Sequence, residues 1–211
     1  MELRSREASG QRRGRWSGVP VADRLALRRT ELIAAGIELL GGPQGPSLTV
    51  RAACRTAALT ERYFYESFGD RDVFVRAVYD EVCTTAMSTL ASATTPREAV
   101  ERFVALMVDD PTRGRVLLLA PEREPVLTKS GADWMPSFIG LLQSRLRHVS
   151  DPARQEMIAT GLVGALTALF TGYLNGRLSA TREQFIEYCS DLVLHQAVEQ
   201  EESPLTTGQG C

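Results

Sequence analysis

Cysteine is scarce: the four in this 211-residue chain, Cys54, Cys83, Cys189 and Cys211, lie far apart. No Cys-x-x-Cys pair and no Cys/His group at zinc spacing occurs, which excludes a disulfide scaffold and a structural zinc site. The thiols are expected to stay reduced, in a cytoplasmic protein. Histidine is rarer still, and neither His148 nor His195 has a nucleophile near it in sequence. There is no Gly-rich phosphate loop, no Gly-x-Ser-x-Gly, no His-Glu-x-x-His and no pair of Glu-x-x-His motifs. No catalytic residue, metal ligand or cofactor is predicted. Aromatics amount to 7%, and the Arg-rich N-terminus lacks the apolar stretch of a secretory signal.

Long uncharged runs are also wanting, with one exception. Met157 to Gly176 holds 20 residues without a charge, a length that would span a bilayer. It carries Gly161, Gly164, Gly172, Gly176, Asn175 and three threonines, and it lacks aromatic belts. The expectation is a core helix of a soluble oligomer, with no membrane partner.

What is present is ordinary globular material: 44% hydrophobic and 24% charged residues, in a chain long enough to bury a core. The net charge of −2 is unevenly spread. Met1–Tyr79 carries +4, all of its positive charge from arginine, whereas Asp80–Cys211 carries −6. A basic front on an acidic body suits a protein whose front meets a polyanion.

Periodicity and caps predict an all-α chain. Met1–Pro20, with Arg4, Arg6, Arg12, Arg13, Arg15 and Trp16, has no hydrophobic period and reads as a flexible arm. A first helix is expected over Ala22–Leu40, stopped by Gly41-Gly42-Pro43. Others are expected from Thr49, from Thr60, and from the N-cap Asp70 to about Ala91. The capping box Thr95-Pro96-Arg97-Glu98 opens a fifth, ending near Val108, and Asp110-Pro111 a sixth. A seventh is expected over Asp133–Arg147, an eighth after Asp151-Pro152, and a last from Thr181-Arg182-Glu183-Gln184 to about Glu199. Residues 201–211 read as a disordered tail.

The segment Thr49–Phe74, TVRAACRTAALTERYFYESFGDRDVF, holds two short helices joined around Ala57-Ala58-Leu59. The small residues Ala52, Ala53, Cys54, Ala57 and Ala58 allow the helices to cross closely. Leu59, Phe64 and Phe68 are expected to face inward, leaving Glu61, Arg62, Tyr63, Tyr65 and Glu66 outside. This is a helix-turn-helix pattern whose second helix enters a major groove.

The segment resembles the DNA-binding domain of TetR-family transcriptional regulators. The resemblance is carried without a gap by Thr49-Val50-Arg51, Ala57, Leu59-Thr60, Phe64-Tyr65, Phe68 and Asp70-Arg71-Asp72, and it covers about Ala22–Val82. The chain departs from the family pattern at Ala58 (usually glycine), Tyr63 (threonine), Ser67 (histidine) and Ala53-Cys54 (Ile-Ala).

The resemblance implies a three-helix DNA-binding domain over residues 21–69 and a larger helical ligand-binding and dimerisation domain over 70–200. It implies a ligand-responsive repressor on a palindromic duplex DNA site. By chemistry, Thr49 and Thr60 sit at helix starts that can hold phosphate, and Arg62 offers a fork for guanine. Tyr65 and Arg71 resemble family residues that reach phosphates. Tyr63 is a candidate for a thymine methyl or a phosphate, Glu61 for cytosine N4, and Arg51 for the groove edge; alternatively this is a solvated helix face.

The last two helices resemble the family's homodimer face. They offer the stripe Gly161, Ala165, Ala168, Gly172, Gly176 together with Phe185, Tyr188, Leu192 and Val193. An apolar effector is expected among Met87, Phe103, Met107, Trp134, Phe138, Phe170 and Tyr173, although each of these also fits plain core. A small helical enzyme and a nonspecific DNA-binding protein are the competing readings.

Overall fold

The computed structural model describes residues 21–43 and 48–198. The expectations for the arginine arm, Trp16, Cys211 and the 201–211 tail lie outside these residues.

Among the described residues the chain is all-α, with no strand. The helices are α1 (Val21–Leu40), α2 (Val50–Thr56), α3 (Glu61–Phe68), α4 (Arg71–Ala91), α5 (Pro96–Met107) and α6 (Pro111–Leu118). They continue with the single turn α7 (Ala120–Arg123), a 3-10 turn (Pro125–Leu127), α8 (Thr128–Gln143), α9 (Pro152–Leu174) and α10 (Arg182–Val198).

The starts follow local chemistry. Thr49 Oγ accepts from Ala52 N at 3.1 Å, Asp70 Oδ1 from Val73 N at 2.8 Å, and Thr95 Oγ from Glu98 N at 3.1 Å. At α10 the capping box closes reciprocally. Thr181 Oγ accepts from Gln184 N at 3.2 Å, while Gln184 Oε1 accepts from Thr181 N at 2.9 Å.

One boundary differs. The helix expected from Asp133 begins five residues earlier, at Thr128, and ends at Gln143 rather than Arg147. Pro121 and Pro125 break the preceding segment into short turns, and the second turn leads directly into α8. Asp133 is an interior residue, paired with Lys129 Nζ at 2.9 Å.

The core is continuous from α1 to α10. On α1 the buried stripe is Leu32, Ile33, Gly36, Ile37 and Leu40, while Leu25 stands exposed at the outer end. Gly36 is where α1 meets α4: a Cβ there would lie 2.8 Å from Phe74 Cζ and closer still to Val78. Only glycine permits that approach. Beneath α2 and α3, Phe64 packs edge-on against Phe74 at 5.0 Å, and Phe68 against Phe74 at 4.8 Å. Phe64 and Phe74 are fully buried, each contributing on the order of 2–3 kcal/mol. The N-terminal half of α4 thus completes the small core under α2 and α3, and its C-terminal half belongs to the larger bundle.

Helix α9 is long and apolar enough to cross a membrane, and only 22% of its apolar window is buried within the chain. Met157, Gly161, Gly164 and Ala168 face outward on it, as do Tyr188 and Leu194 on α10. The stripe expected along α9 is divided. Gly172 is buried under Leu178, and Gly176 closes the helix end at φ 68°. Phe185 is buried against Phe170 and Tyr173, inside the subunit.

Candidate nucleic-acid interface

Helix α3 is an eight-residue rod held by two aromatic anchors. Phe64 and Phe68, four residues apart, turn inward. At 100° per residue the same phase turns Glu61, Arg62, Tyr65 and Glu66 outward, and all four are exposed. The turn before it depends on Ala58, which adopts φ 53°, the left-handed region where glycine is favoured. Leu59 N donates to Cys54 O at 2.9 Å and locks that turn. Leu59 itself is half-buried.

The outer face carries its own counter-charges. Arg62 Nε lies 2.8 Å from Glu66 Oε1, and Arg51 Nε lies 3.5 Å from Glu61 Oε1. The hydrogen bond to Glu66 raises the Arg62 pKa above its ordinary value. Both arginine side chains are more than four-fifths exposed, so these pairs are weak and exchangeable. Thr60 starts α3 without a side-chain cap bond, whereas the Thr49 hydroxyl caps its own helix.

Two of the predicted contacts sit differently. Tyr63 is half-buried under α1, with the Arg28 guanidinium 3.7 Å from its ring centroid. It flanks the open face rather than standing on it, because its phase on α3 points toward α1. Arg71, matched by the resemblance to a phosphate-contacting residue, turns inward. Its Nη2 lies 2.6 Å from Glu124 Oε2, Nη1 lies 3.3 Å from Glu124 Oε1, and Nε donates to Leu48 O at 3.0 Å. Those bonds keep its pKa raised, the hydrogen bond to Glu124 being the largest cause. A phosphate would have to compete with a carboxylate that is 7% exposed.

Arg28 and Arg29 escaped the sequence reading. Arg29 donates to Ser67 O at 3.0 Å and lies over the Phe68 ring at 4.3 Å, so α1 braces α3 from behind. Their position on the polar side of α1 was the available signal.

Away from this face, a cavity of about 610 Å³ opens among α4, α5, α6, α8 and α9. Phe103, Trp134, Phe138 and Phe170 line it, together with Tyr79, Leu90, Val100, Leu141, Leu166 and others. Met107 and Tyr173 do not. Met107 is fully buried in the core, and Tyr173 stacks on Phe185 at 4.3 Å. Met87 is absent from the lining as well. Trp134 Nε1 donates to Asp80 at 2.8 Å, fixing one wall.

An all-α chain with a braced, outward α3, an α4 shared by two cores and an apolar cavity behind it has counterparts among solved structures. A TetR-family transcriptional regulator from Streptomyces coelicolor matches with a TM-score of 0.63 at 16% identity, covering 84% of this chain and 80% of that one. Its fold is that of the TetR-family regulators. A TetR-like transcriptional regulator from Rhodococcus sp. RHA1 shares this TetR fold with a TM-score of 0.54 at 17% identity, covering 81% and 95% of the two chains. The multidrug binding protein EbrR, solved with imidazole, shares it with a TM-score of 0.56 at 20% identity, over 79% and 89%. No family model matches the sequence, and no curated protein matches it. The likeness to the TetR fold is therefore carried by tertiary structure.

Proposed function

We propose that this chain is a TetR-like, ligand-responsive transcriptional repressor that binds a palindromic operator as a homodimer in the cytoplasm. The observation that carries the reading is α3: an exposed polar rod, anchored by Phe64 and Phe68, in a helix-turn-helix frame. Arg62 is the guanine reader, with Glu61 and Tyr65 beside it. Thr49, Thr60 and Arg51 flank the groove and position the rod on phosphates, and Tyr63 contributes from the side. Arg71 is assigned a different part, as a link between domains.

The outward faces of α9 and α10, with Gly161, Gly164, Ala168, Tyr188 and Leu194, form the dimer surface in this reading. Pairing them would cover the apolar length that α9 exposes. It would also set two reading helices on one side of the pair, as a two-fold operator needs. The cavity is the effector site, lined by Phe103, Trp134, Phe138 and Phe170. Effector binding acts through α4, which lines the cavity at Tyr79 and completes the core under α3 at Phe74. An effector shifts operator affinity only by its differential affinity for two arrangements of that helix.

Selection of bound duplexes from a random pool tests the reading. A two-fold symmetric consensus is expected. Enrichment without symmetry would overturn the two-fold operator; no enrichment, with affinity falling steeply in salt, would mark a nonspecific DNA-binding protein.

A further inference from the structure

The cavity is elongated, and its two ends differ in charge. Along α4 its lining runs from Tyr79 to Leu90, about 16 Å at 1.5 Å per residue. Along α8 it runs from Thr128 to Leu142, about 21 Å. The two helices face each other in register. Gly131 approaches the Tyr79 hydroxyl at one end, where a Cβ would lie 3.6 Å away. At the other end Arg145 donates to Ala91 O at 2.9 Å and to Ala93 O at 3.2 Å. Between these ends the walls are apolar but for Thr167 on α9.

The charged side chains of the lining are Glu122 and Arg145, one at each end. Glu122 and the Tyr79 hydroxyl mark the first end; burial raises the Tyr79 pKa, so the phenol stays neutral. Arg145 marks the second, with Thr94 and Thr95. The nearby Glu98 carboxylate is already matched, by Arg102 at 2.5 Å and by Thr94 Oγ at 2.6 Å. The carbonyl bonds of Arg145 engage two of the five N–H donors of a guanidinium. An adjoining recess lined by Leu141, Ser144, Arg145 and Arg147 adds a second guanidinium beside that end.

We infer that the cavity takes an anionic amphiphile: a single long apolar chain with a carboxylate head at Arg145 and its tail toward Tyr79. At about 1.2 Å per bond in an extended chain, 16 Å corresponds to about 13 bonds. Glu122 opposes the reverse orientation. The inference rests on the effector reading of the cavity, but its test needs no DNA.

Trp134 lies in the wall and reports occupancy once Trp16 is replaced (W16F). Tetradecanoate, tetradecanol and tetradecyltrimethylammonium are titrated below their aggregation concentrations, following Trp134 fluorescence. The carboxylate is expected to bind about tenfold more tightly than the alcohol, through charge-assisted hydrogen bonds, and the cation most weakly. R145Q should bring the carboxylate to the level of the alcohol and leave the alcohol unchanged; R145K should keep the preference. Equal binding of acid and alcohol by the parent protein, tightest binding of the cation, or no binding of any of the three overturns the inference. If R145Q loses the alcohol too, R145K decides: a retained acid preference supports the inference and its loss overturns it. Operator release is measured separately. A protein that binds tetradecanoate yet holds its operator unchanged fails as a ligand-responsive regulator while keeping this ligand class.

Discussion

The carboxylate of Glu124 lies across the guanidinium of Arg71, 53 residues away in sequence, at 2.6 and 3.3 Å. The same guanidinium holds the carbonyl of Leu48, immediately before the cap of α2. One side chain therefore ties the helix-turn-helix to the segment between α7 and α8, whose neighbours Pro121, Glu122 and Thr128 line the cavity. In the proposed mechanism, filling the cavity presses on that segment and, through Glu124, on the entry to α2.

E124Q tests this link. Removing the charge should cost about 1–2 kcal/mol of stability, since Glu124 is buried but Arg71 remains a third exposed. The informative readout is coupling: the effector's influence on operator affinity should shrink in E124Q while direct effector binding holds. A wild-type effector response in a folded E124Q protein would remove the pair from the relay.

Ala58 is a second test. A left-handed alanine is strained, and glycine relieves the strain while enlarging the freedom of the unfolded chain. A58G is expected to stabilise by about 1 kcal/mol and to raise Tm by about 2–4 °C. Operator affinity should not change, because the backbone geometry is the same. Calorimetry together with one operator titration checks both statements.

Substitutions in the Arg62–Glu66 pair test the proposed DNA-binding face. R62A should weaken the selected operator about ten- to hundredfold and relax one base position. E66Q releases Arg62 and removes a negative charge from the face, so affinity for random duplex should rise with a steeper salt dependence. Competition binding at two salt concentrations measures both. Unchanged affinity for random duplex in E66Q would mean that Glu66 does not restrain the arginine.

The buried thiols give a pH dependence. Burial pushes Cys83 up to about 12 and Cys189 up to about 11, from an ordinary value of 9.0. Above pH 9 the unfolded chain releases these protons before the folded one does. Stability is then full below about pH 8 and declines as pH climbs between the two sets of values. The urea midpoint should fall from pH 8 to pH 10, and less so in a C83A/C189A protein. A midpoint flat to pH 10 would contradict this assignment.

Much of the helical framework was legible in the sequence because its determinants are local. Caps at Thr49, Asp70, Thr95 and Thr181, the four-residue spacing of Phe64 and Phe68, and the strained turn at Ala58 all act within one or two helical turns. The cavity was half legible: Phe103, Trp134, Phe138 and Phe170 line it, whereas Met107 and Tyr173 have the same composition and serve the core. Residue type says that a side chain is apolar, not what it faces.

By itself the order of residues determined the helical class, most helix boundaries and the outward presentation of Arg62 and Tyr65, since hydrogen bonds and hydrophobic phase over short spans set these. Only the tertiary structure decided that Arg71 turns inward to Glu124, that Arg28 covers Tyr63, and that Arg145 and Glu122 line one cavity. Those pairings join residues tens of positions apart, and they depend on how helices cross once the core has packed.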